Sequence, residues 1–394
     1  GHAEKWDMPM AYSATNFHSE HGVIFANKVK DYTNGKLEIT VHPGGSLFKG
    51  GEIKRAVQTG QAPIGERFMS AHANEAPLLG WDNLPFLATT YEDNNKLWSV
   101  AKDKVNKQLS DLNLVALYTC PWPGQGFYFK KEVKSSVDTQ GVKFRSYNAA
   151  TATFAKELGM LPVQVEAAEL SQALATGVAE AFISSGSTGY DRKVWEHLTH
   201  YYKVNAWLPR NYVIINKGIY EGLSDDVRKA LHKAADETGA ACSAKSAELA
   251  NWYFEQLEAN GMTVTDAGPD FLKELGRDEM VPILQVSTGG TMLYPHKGHY
   301  RKASIFKLLK GDQETTTWWK NTEDFKVIDE YRIPDVTKLE VDDQAQLVED
   351  KWLIFNHFEW HSVQKSNPNS LRINVGVDFN TLSAQDISNL FSKK

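Results

Sequence analysis

The sequence predicts an α/β protein built as two related lobes, followed by a C-terminal segment of different make-up. Three observations carry this reading. Strand and helix patterns alternate through the first 120 residues, the same order returns after residue 140, and the composition shifts beyond residue 286. Strands alternating with helices imply βαβ units and a mostly parallel sheet.

Residues 8–14 (MPMAYSA) read as a short strand, and 18–33 as an amphipathic helix stopped by Asn34-Gly35. KLEITVH (36–42) alternates with period two, as a half-buried strand does, until Pro43-Gly44-Gly45 breaks it. A helix near 51–59 ends at Thr59-Gly60, and APIGERF (62–68) is the next strand. In the second half, 141–147 is a strand, 148–159 a helix closed by Gly159, 161–167 a strand, 169–177 a helix and 178–184 a strand. RAVQTGQAPIG (55–65) and QALATGVAEAF (172–182) share one layout of helix, Thr-Gly and strand. The glycine fits the left-handed position that ends a helix. A cleft between two such lobes is a natural place for a small ligand.

Residues 224–260 form the longest helical stretch. Ser224 can cap it, Asp225 and Asp226 suit its first turn, and Asn260-Gly261 can end it. Unbroken, it would span roughly 55 Å and so run along both lobes; Gly239 is the expected place for any kink. Of 36 alanines, 33 fall at or before residue 286, whereas four of the 11 tryptophans lie beyond it. That last segment reads as α+β, with a helix over 301–309, strands within 325–333, 351–363 and 370–379, and a final helix opening on Ser383 and Asp386.

The chain has 394 residues, 42% of them hydrophobic and 23% charged, which excludes a disordered or fibrous protein. Lys and Arg number 43 against 49 acidic residues, for a net charge of −6, and no basic run appears, so no nucleic-acid partner is expected. No apolar stretch approaches the roughly 18–20 residues of a membrane-spanning helix. Cys120 and Cys242 fit no zinc or CxxC spacing; they can form one bridge or none. There is no GxGxxG, no Walker A loop, no HExxH and no local nucleophile–base set, so neither a cofactor nor a catalytic centre is expected. His18/His21 and His197/His200 are spaced i,i+3 on predicted helices without a third ligand beside them, and read as helix faces rather than as a metal site.

The informative stretch is GVKFRSYNAATATFAKELG (141–159). Arg145 sits near the end of a predicted strand, where a long charged side chain can reach into a cleft. A guanidinium meets a carboxylate with two parallel hydrogen bonds. This stretch, QALATGVAEAFISS, MAYSATNFH, VQTGQAPIGE and the helix after Ser224 resemble the substrate-binding proteins of tripartite ATP-independent periplasmic (TRAP) transporters, over residues 4–286. The resemblance implies a two-lobe periplasmic clamshell with a long helix across both lobes. Lobe one is then 3–125 with 210–250, lobe two 126–209 with 251–286, and 287–394 an additional domain or fusion. It implies a receptor without a catalytic step, in the periplasm after removal of a signal peptide, which delivers a small organic acid to the permease subunits.

The family's carboxylate-pairing arginine falls on Arg145. Positions matching ligand-lining sites are Phe17, Glu66, Phe68, Ser184 and Asn211, and Trp122 and Tyr147 stand nearby with Trp81 and Tyr190. Sialic-acid-binding relatives carry an asparagine where this chain has Ser184. With an amide partner for sugar hydroxyls gone and aromatics close by, the expected ligand is an apolar or aromatic monocarboxylate. Relatives usually finish with one or two helices of the second lobe. The segment from 287 departs from that pattern. The alternative reading is a two-lobe binding protein fused to an enzymatic domain, with acids such as Asp342, Asp343 or Glu359, or to a protein-interaction domain.

Overall fold

A computed structural model describes residues 2–275 and, between Met280 and Phe379, the backbone of ten further strands. The chain forms two compact units, residues 1–274 and 275–394.

In the first unit the chain starts in one lobe with β1 (Glu4–Pro9), α1 (Phe17–Tyr32), β2 (Leu37–His42), α2 (Ile53–Gln58), β3 (Ile64–Phe68), α3 (Tyr91–Asp111) and β4 (Leu114–Pro121). It crosses to the other for β5 (Gly126–Phe129), β6 (Lys143–Ser146), α4 (Ala149–Glu157), β7 (Leu161–Gln164), α5 (Leu170–Ala175), β8 (Ala181–Ser184), α6 (Gly186–Asp191) and β9 (His200–Lys203). It returns with β10 (Arg210–Asn216) and α7 (Lys217–Glu221), then runs the 35-residue α8 (Asp225–Ala259) and ends in β11 (Thr263–Asp266) and α9 (Pro269–Glu274).

In the first lobe β1 and β2 pair in parallel, and β10 lies antiparallel between β3 and β4. The second lobe holds six strands in the order β11-β9-β5-β8-β6-β7. Within it β5 runs antiparallel to both β8 and β9, while the other pairs are parallel. The sheets are therefore mixed and not mostly parallel. β5 and β10 enter straight from the opposite lobe without a helical crossover, so nothing forces them parallel to their neighbours. Both are buried along their whole length, as apolar runs at a sheet centre are.

The stop after α1 at Asn34-Gly35 and the cap of α8 act as the sequence implies, and Asn16, which sequence reasoning did not single out, caps α1. Asn16 Oδ1 accepts from the His18 amide at 2.9 Å to cap α1, and Ser224 Oγ accepts from the Val227 amide at 3.3 Å to cap α8. α8 packs on α1 and β4 in the first lobe and on α6 and β11 in the second. It runs unbroken through Gly239. A Cβ there would lie 3.1 Å from Tyr118 Cβ, so the glycine serves close helix–strand packing rather than a kink. The strand expected at 8–14 lies earlier, at β1, where Trp6 and Met8 alternate into the core. Its apolar continuation, Met10 to Tyr12, belongs instead to the loop entering α1.

The second unit contains β12 (Met280–Ser287), β13 (Leu293–His296), β14 (Ala303–Lys310), β15 (Glu314–Trp319), β16 (Phe325–Ile328), β17 (Tyr331–Pro334), β18 (Val341–Leu347), β19 (Trp352–Asn356), β20 (Trp360–Lys365) and β21 (Arg372–Phe379). Their sheets have orders β12-β21-β14-β19, β13-β20-β15-β18 and β16-β17, antiparallel throughout. The helix expected over 301–309 is β14, hydrogen-bonded on both edges. A short apolar run such as SIFKLLK suits either period, and pairing on both sides decides it. The described residues of this unit are thus strands where α+β was expected; the helix expected from Ser383 lies outside the described residues.

Candidate functional site

Between the lobes of the first unit lies a partly open cavity, whose space not filled by atoms, open solvent included, is about 440 Å³. Two buried arginines, Arg67 and Arg145, line it, and a third, Arg210, buried outside the lining, gives the contrast. Arg210, 3% exposed, is saturated: Nε and Nη2 donate to Asn94 Oδ1 at 2.9 and 2.7 Å, Nη2 also to Asn95 Oδ1 at 2.7 Å, and Nη1 to Thr119 Oγ1 at 3.0 Å. Arg67, on β3, is paired: Nη1 and Nη2 reach the two carboxylate oxygens of Glu166 at 3.2 and 3.3 Å, and Nε donates to His72 Nε2 at 3.0 Å. Arg145, on β6, is neither. Its Nε donates to the Val165 carbonyl at 2.8 Å, and its guanidinium stands 5.4 Å from the Tyr147 ring centre. Among the described residues Nη1 and Nη2 of Arg145 have no partner, and the side chain lines the cavity while only 3% exposed. Burial pushes its pKa down, and nearby Tyr12 and Glu166 oppose that.

The walls come from both lobes. Tyr12, Phe68 and Trp122 line one side, with Tyr147, Gln125, Ser184 and Thr188 opposite. Tyr147 is held by two bonds: its hydroxyl donates to Gln125 Oε1 at 3.0 Å and accepts from Trp207 Nε1 at 2.9 Å. Ser184 Oγ donates to Thr188 Oγ1 at 2.8 Å, so the two hydroxyls form one polar patch.

Of the eight site residues expected from the sequence, Arg145, Phe68, Tyr147, Ser184 and Trp122 meet at this cavity. Phe17, Glu66 and Asn211 stand behind it. Trp122 Nε1 donates to Asn211 Oδ1 at 2.8 Å, and Asn211 Nδ2 donates to Glu66 Oε1 at 3.1 Å, so a buried chain ends on a carboxyl group. Burial pushes the Glu66 pKa up to about 8 against the Asn211 hydrogen bond. Phe17 packs edge-on to Trp122, 5.6 Å between ring centres. Trp81 and Tyr190 lie elsewhere: Trp81 stacks on Trp98, and Tyr190 packs against Trp252 and Tyr253.

Sequence reasoning passed over Tyr12, Arg67, Gln125, Glu166 and Thr188. Arg67 and Glu166 are joined from positions 99 apart, which no local pattern reveals. Tyr12, within the MAYSATNFH stretch, and Thr188, just beyond QALATGVAEAFISS, carried no signal of their own. Polar contacts also cross the cleft at Asn16, whose Nδ2 donates to Ser187 Oγ (3.1 Å) and Asp191 Oδ2 (2.8 Å), and at Asn148, whose Nδ2 donates to Ser70 Oγ (3.2 Å).

Cys120 and Cys242 are joined as a disulfide that ties the end of β4 to α8. Among the described residues the grouping of metal-capable side chains is His18 with these two cysteines, whose sulfurs are already committed to each other. His197 and His200 do not share a helix; His200 is in β9.

The chain matches the model of the family described as bacterial extracellular solute-binding protein, family 7, over residues 10–286. Among solved structures it is 90% identical to a marine metagenome TRAP solute binding protein specific for pyroglutamate, from an unidentified microbe of the Sorcerer II Global Ocean Sampling Expedition and in complex with co-purified pyroglutamate. That match covers 70% of this chain and 91% of the other, with a TM-score of 0.70. It is 41% identical to a Bordetella pertussis extracytoplasmic solute receptor binding pyroglutamic acid, over 70% of this chain and 91% of that one, with a TM-score of 0.68. It is also 27% identical to the C4-dicarboxylate-binding periplasmic protein DctP of Rhodobacter capsulatus, over 67% of this chain and 78% of that protein.

Proposed function

The chain belongs to family 7 of the bacterial extracellular solute-binding proteins, the periplasmic solute receptors of TRAP transporters, and on that premise we propose that it captures pyroglutamate and delivers it to the permease subunits of such a transporter. Its relatives are receptors for small carboxylates rather than enzymes, and capture without turnover is the activity proposed for this chain. No helix among the described residues is long and apolar enough to cross a membrane.

The observation that carries the reading is the uncommitted guanidinium end of Arg145 inside a cavity whose other arginine, Arg67, is paired with Glu166. A planar fork with two free donors is matched to one carboxylate. Pyroglutamate offers one carboxylate on a small ring with two methylenes and a lactam amide. In this reading Arg145 takes the carboxylate. Phe68, Trp122 and Tyr147 pack the methylenes, although the polar lactam departs from the apolar or aromatic body expected from the sequence. Gln125 and the Ser184–Thr188 hydroxyl pair face the lactam N–H and C=O. Phe17, Asn211 and Glu66 act from behind, by holding Trp122. The near-identical relative that co-purified with pyroglutamate supports the choice of acid.

The test is a thermal-shift and calorimetric screen of the full chain, after unfolding, dialysis and refolding to strip any resident acid. A ligand at 100 times its Kd stabilises by about 2.7 kcal/mol, well within detection. Pyroglutamate should give the largest shift in a panel containing aromatic acids, 2-oxoacids, sugar acids and dicarboxylates. A silent pyroglutamate arm beside a strong response to another class would refute the reading.

A further inference from the structure

We propose that Glu166 sets the charge of the acid that the cleft accepts, admitting a monoanion and rejecting a dianion. The inference rests on the reading of the cavity as a carboxylate site, and it concerns which carboxylates enter.

Three charged side chains line the cavity: Arg67, Arg145 and Glu166. Glu166 neutralises Arg67 through two hydrogen bonds, 3.2 and 3.3 Å long, and the third donor of Arg67 is taken by His72 at 3.0 Å. His72 supplies no charge of its own, because burial first and Arg67 second hold its pKa down to about 4. What remains is the single positive charge of Arg145. A monocarboxylate seated there leaves the cavity neutral. A diacid brings a second carboxylate with no guanidinium to receive it, because the Nη groups of Arg67 already face Glu166. That second charge would sit beside the Glu166 carboxylate, which is 34% exposed, and like charges juxtaposed in a partly desolvated cleft are a means of discrimination. Glu166 reaches the cavity from the second lobe and Arg67 from the first, so the neutral pair is assembled only when the lobes meet.

Family members divide along this line. The relatives with bound pyroglutamate take a monoanion, and the Rhodobacter capsulatus protein is named for C4-dicarboxylates. One acidic side chain placed against the second arginine is enough, by charge arithmetic, to separate the two behaviours.

The experiment is calorimetric titration of the full chain with pyroglutamate, glutarate and succinate, in wild type, Glu166→Gln, Glu166→Asp and Arg67→Gln/Glu166→Gln. Wild type should take pyroglutamate and neither diacid. Glu166→Gln releases Arg67 from its counter-charge, and the affinity ratio of glutarate to pyroglutamate should rise on the order of tenfold or more. The double variant restores the net charge of the wild-type cavity while leaving the interlobe pair broken, so the preference for a monoanion should return. Glu166→Asp keeps the charge and should keep the preference. A wild type that binds glutarate as well as the monoanion overturns the inference. So does a Glu166→Gln with unchanged selectivity, or a double variant that behaves like the single one, since the effect would then belong to the broken contact and not to charge. A wild type that prefers another monocarboxylate refutes the choice of pyroglutamate alone, and the same variants are then read with that acid. A wild type that binds no acid at all refutes the carboxylate reading and this inference with it.

Discussion

Replacing Arg145 with alanine should remove most of the affinity for the acid and leave the ligand-free fold close to its original stability. In the structure the residue is 3% exposed, and its neighbouring buried arginines are committed to Glu166 and His72 or to Asn94, Asn95 and Thr119. A bound carboxylate therefore has no second guanidinium to fall back on. Truncating one side of a buried, hydrogen-bonded charge pair costs roughly 2–5 kcal/mol, which is about 30- to several-thousand-fold in Kd. The upper part of that range applies here, because the orphaned carboxylate would stay desolvated. Stability behaves differently. Arg145 contributes one hydrogen bond to the Val165 carbonyl and its contact with Tyr147, and burial of an uncompensated charge works against both. The two nearly cancel, so the unfolding free energy should move by no more than about 1 kcal/mol in either direction. Arg145→Lys should also bind poorly, since an ammonium keeps the charge and loses the planar fork. Calorimetric titration beside urea unfolding curves measures both quantities on the same preparations. Near-native affinity in Arg145→Ala would refute the anchor role, and an unfolded Arg145→Ala would make the residue a structural one.

Three further outcomes follow from the same structure. Glu66 titrates near 4.5 when exposed and at about 8 in the fold, where burial raises it, so the native state holds an extra proton between those values. Its contribution to stability is full below about 4.5 and is lost as pH rises through 8; Glu66→Gln, which keeps an acceptor for Asn211, should gain stability over wild type across that window by up to a few kcal/mol, and parallel urea midpoints from pH 5 to 9 would refute this. Cys120→Ala/Cys242→Ala should lose about 2–5 kcal/mol, because the bridge closes a loop of 122 residues in the unfolded chain; unchanged denaturant midpoints under oxidising conditions would show that the bond is not formed. Gly126→Ala should destabilise by about 1–3 kcal/mol or more, as read from thermal unfolding, since a Cβ there would collide with the Tyr202 carbonyl and Tyr201 ring where β5 pairs with β8 and β9; a neutral effect would refute that close packing.

The sequence was most legible where structure is local. Asn34-Gly35, Ser224 and the Thr-Gly helix ends act through neighbours within a turn, and the elements they bound stand within a residue or two of expectation. Arg145 was legible because its strand, its position and its surrounding motif all lie within twenty residues. Reading failed where partners are distant. The antiparallel course of β5 and β10 depends on which lobe the chain has just left, and no period encodes that. The run around Ile305 is apolar in a way that suits helix and strand alike, and β19 and β21 settle it from about fifty and seventy positions away. Gly239 looked like a helix breaker because the side chain it accommodates, Tyr118, belongs to another element.

If Arg145 receives a carboxylate as proposed, the same residue also bears on how the lobes close. The contacts that cross the cleft are an ion pair between buried Arg67 and one-third-exposed Glu166, and a few hydrogen bonds through Asn16 and Asn148. Each is worth about 1 kcal/mol or less after desolvation. Bringing the lobes together also strips water from Arg145, a cost that its Val165 hydrogen bond and Tyr147 contact offset only in part. Closure on an empty cavity is thus opposed by the residue that makes closure on a carboxylate favourable. A ligand shifts such an equilibrium only by its differential affinity for the two states. In the proposed reading that differential comes mainly from the charge pair at Arg145, which needs both lobes to wall it in. An acid without the right charge leaves the penalty in place, so affinity and closure are selected by one electrostatic condition.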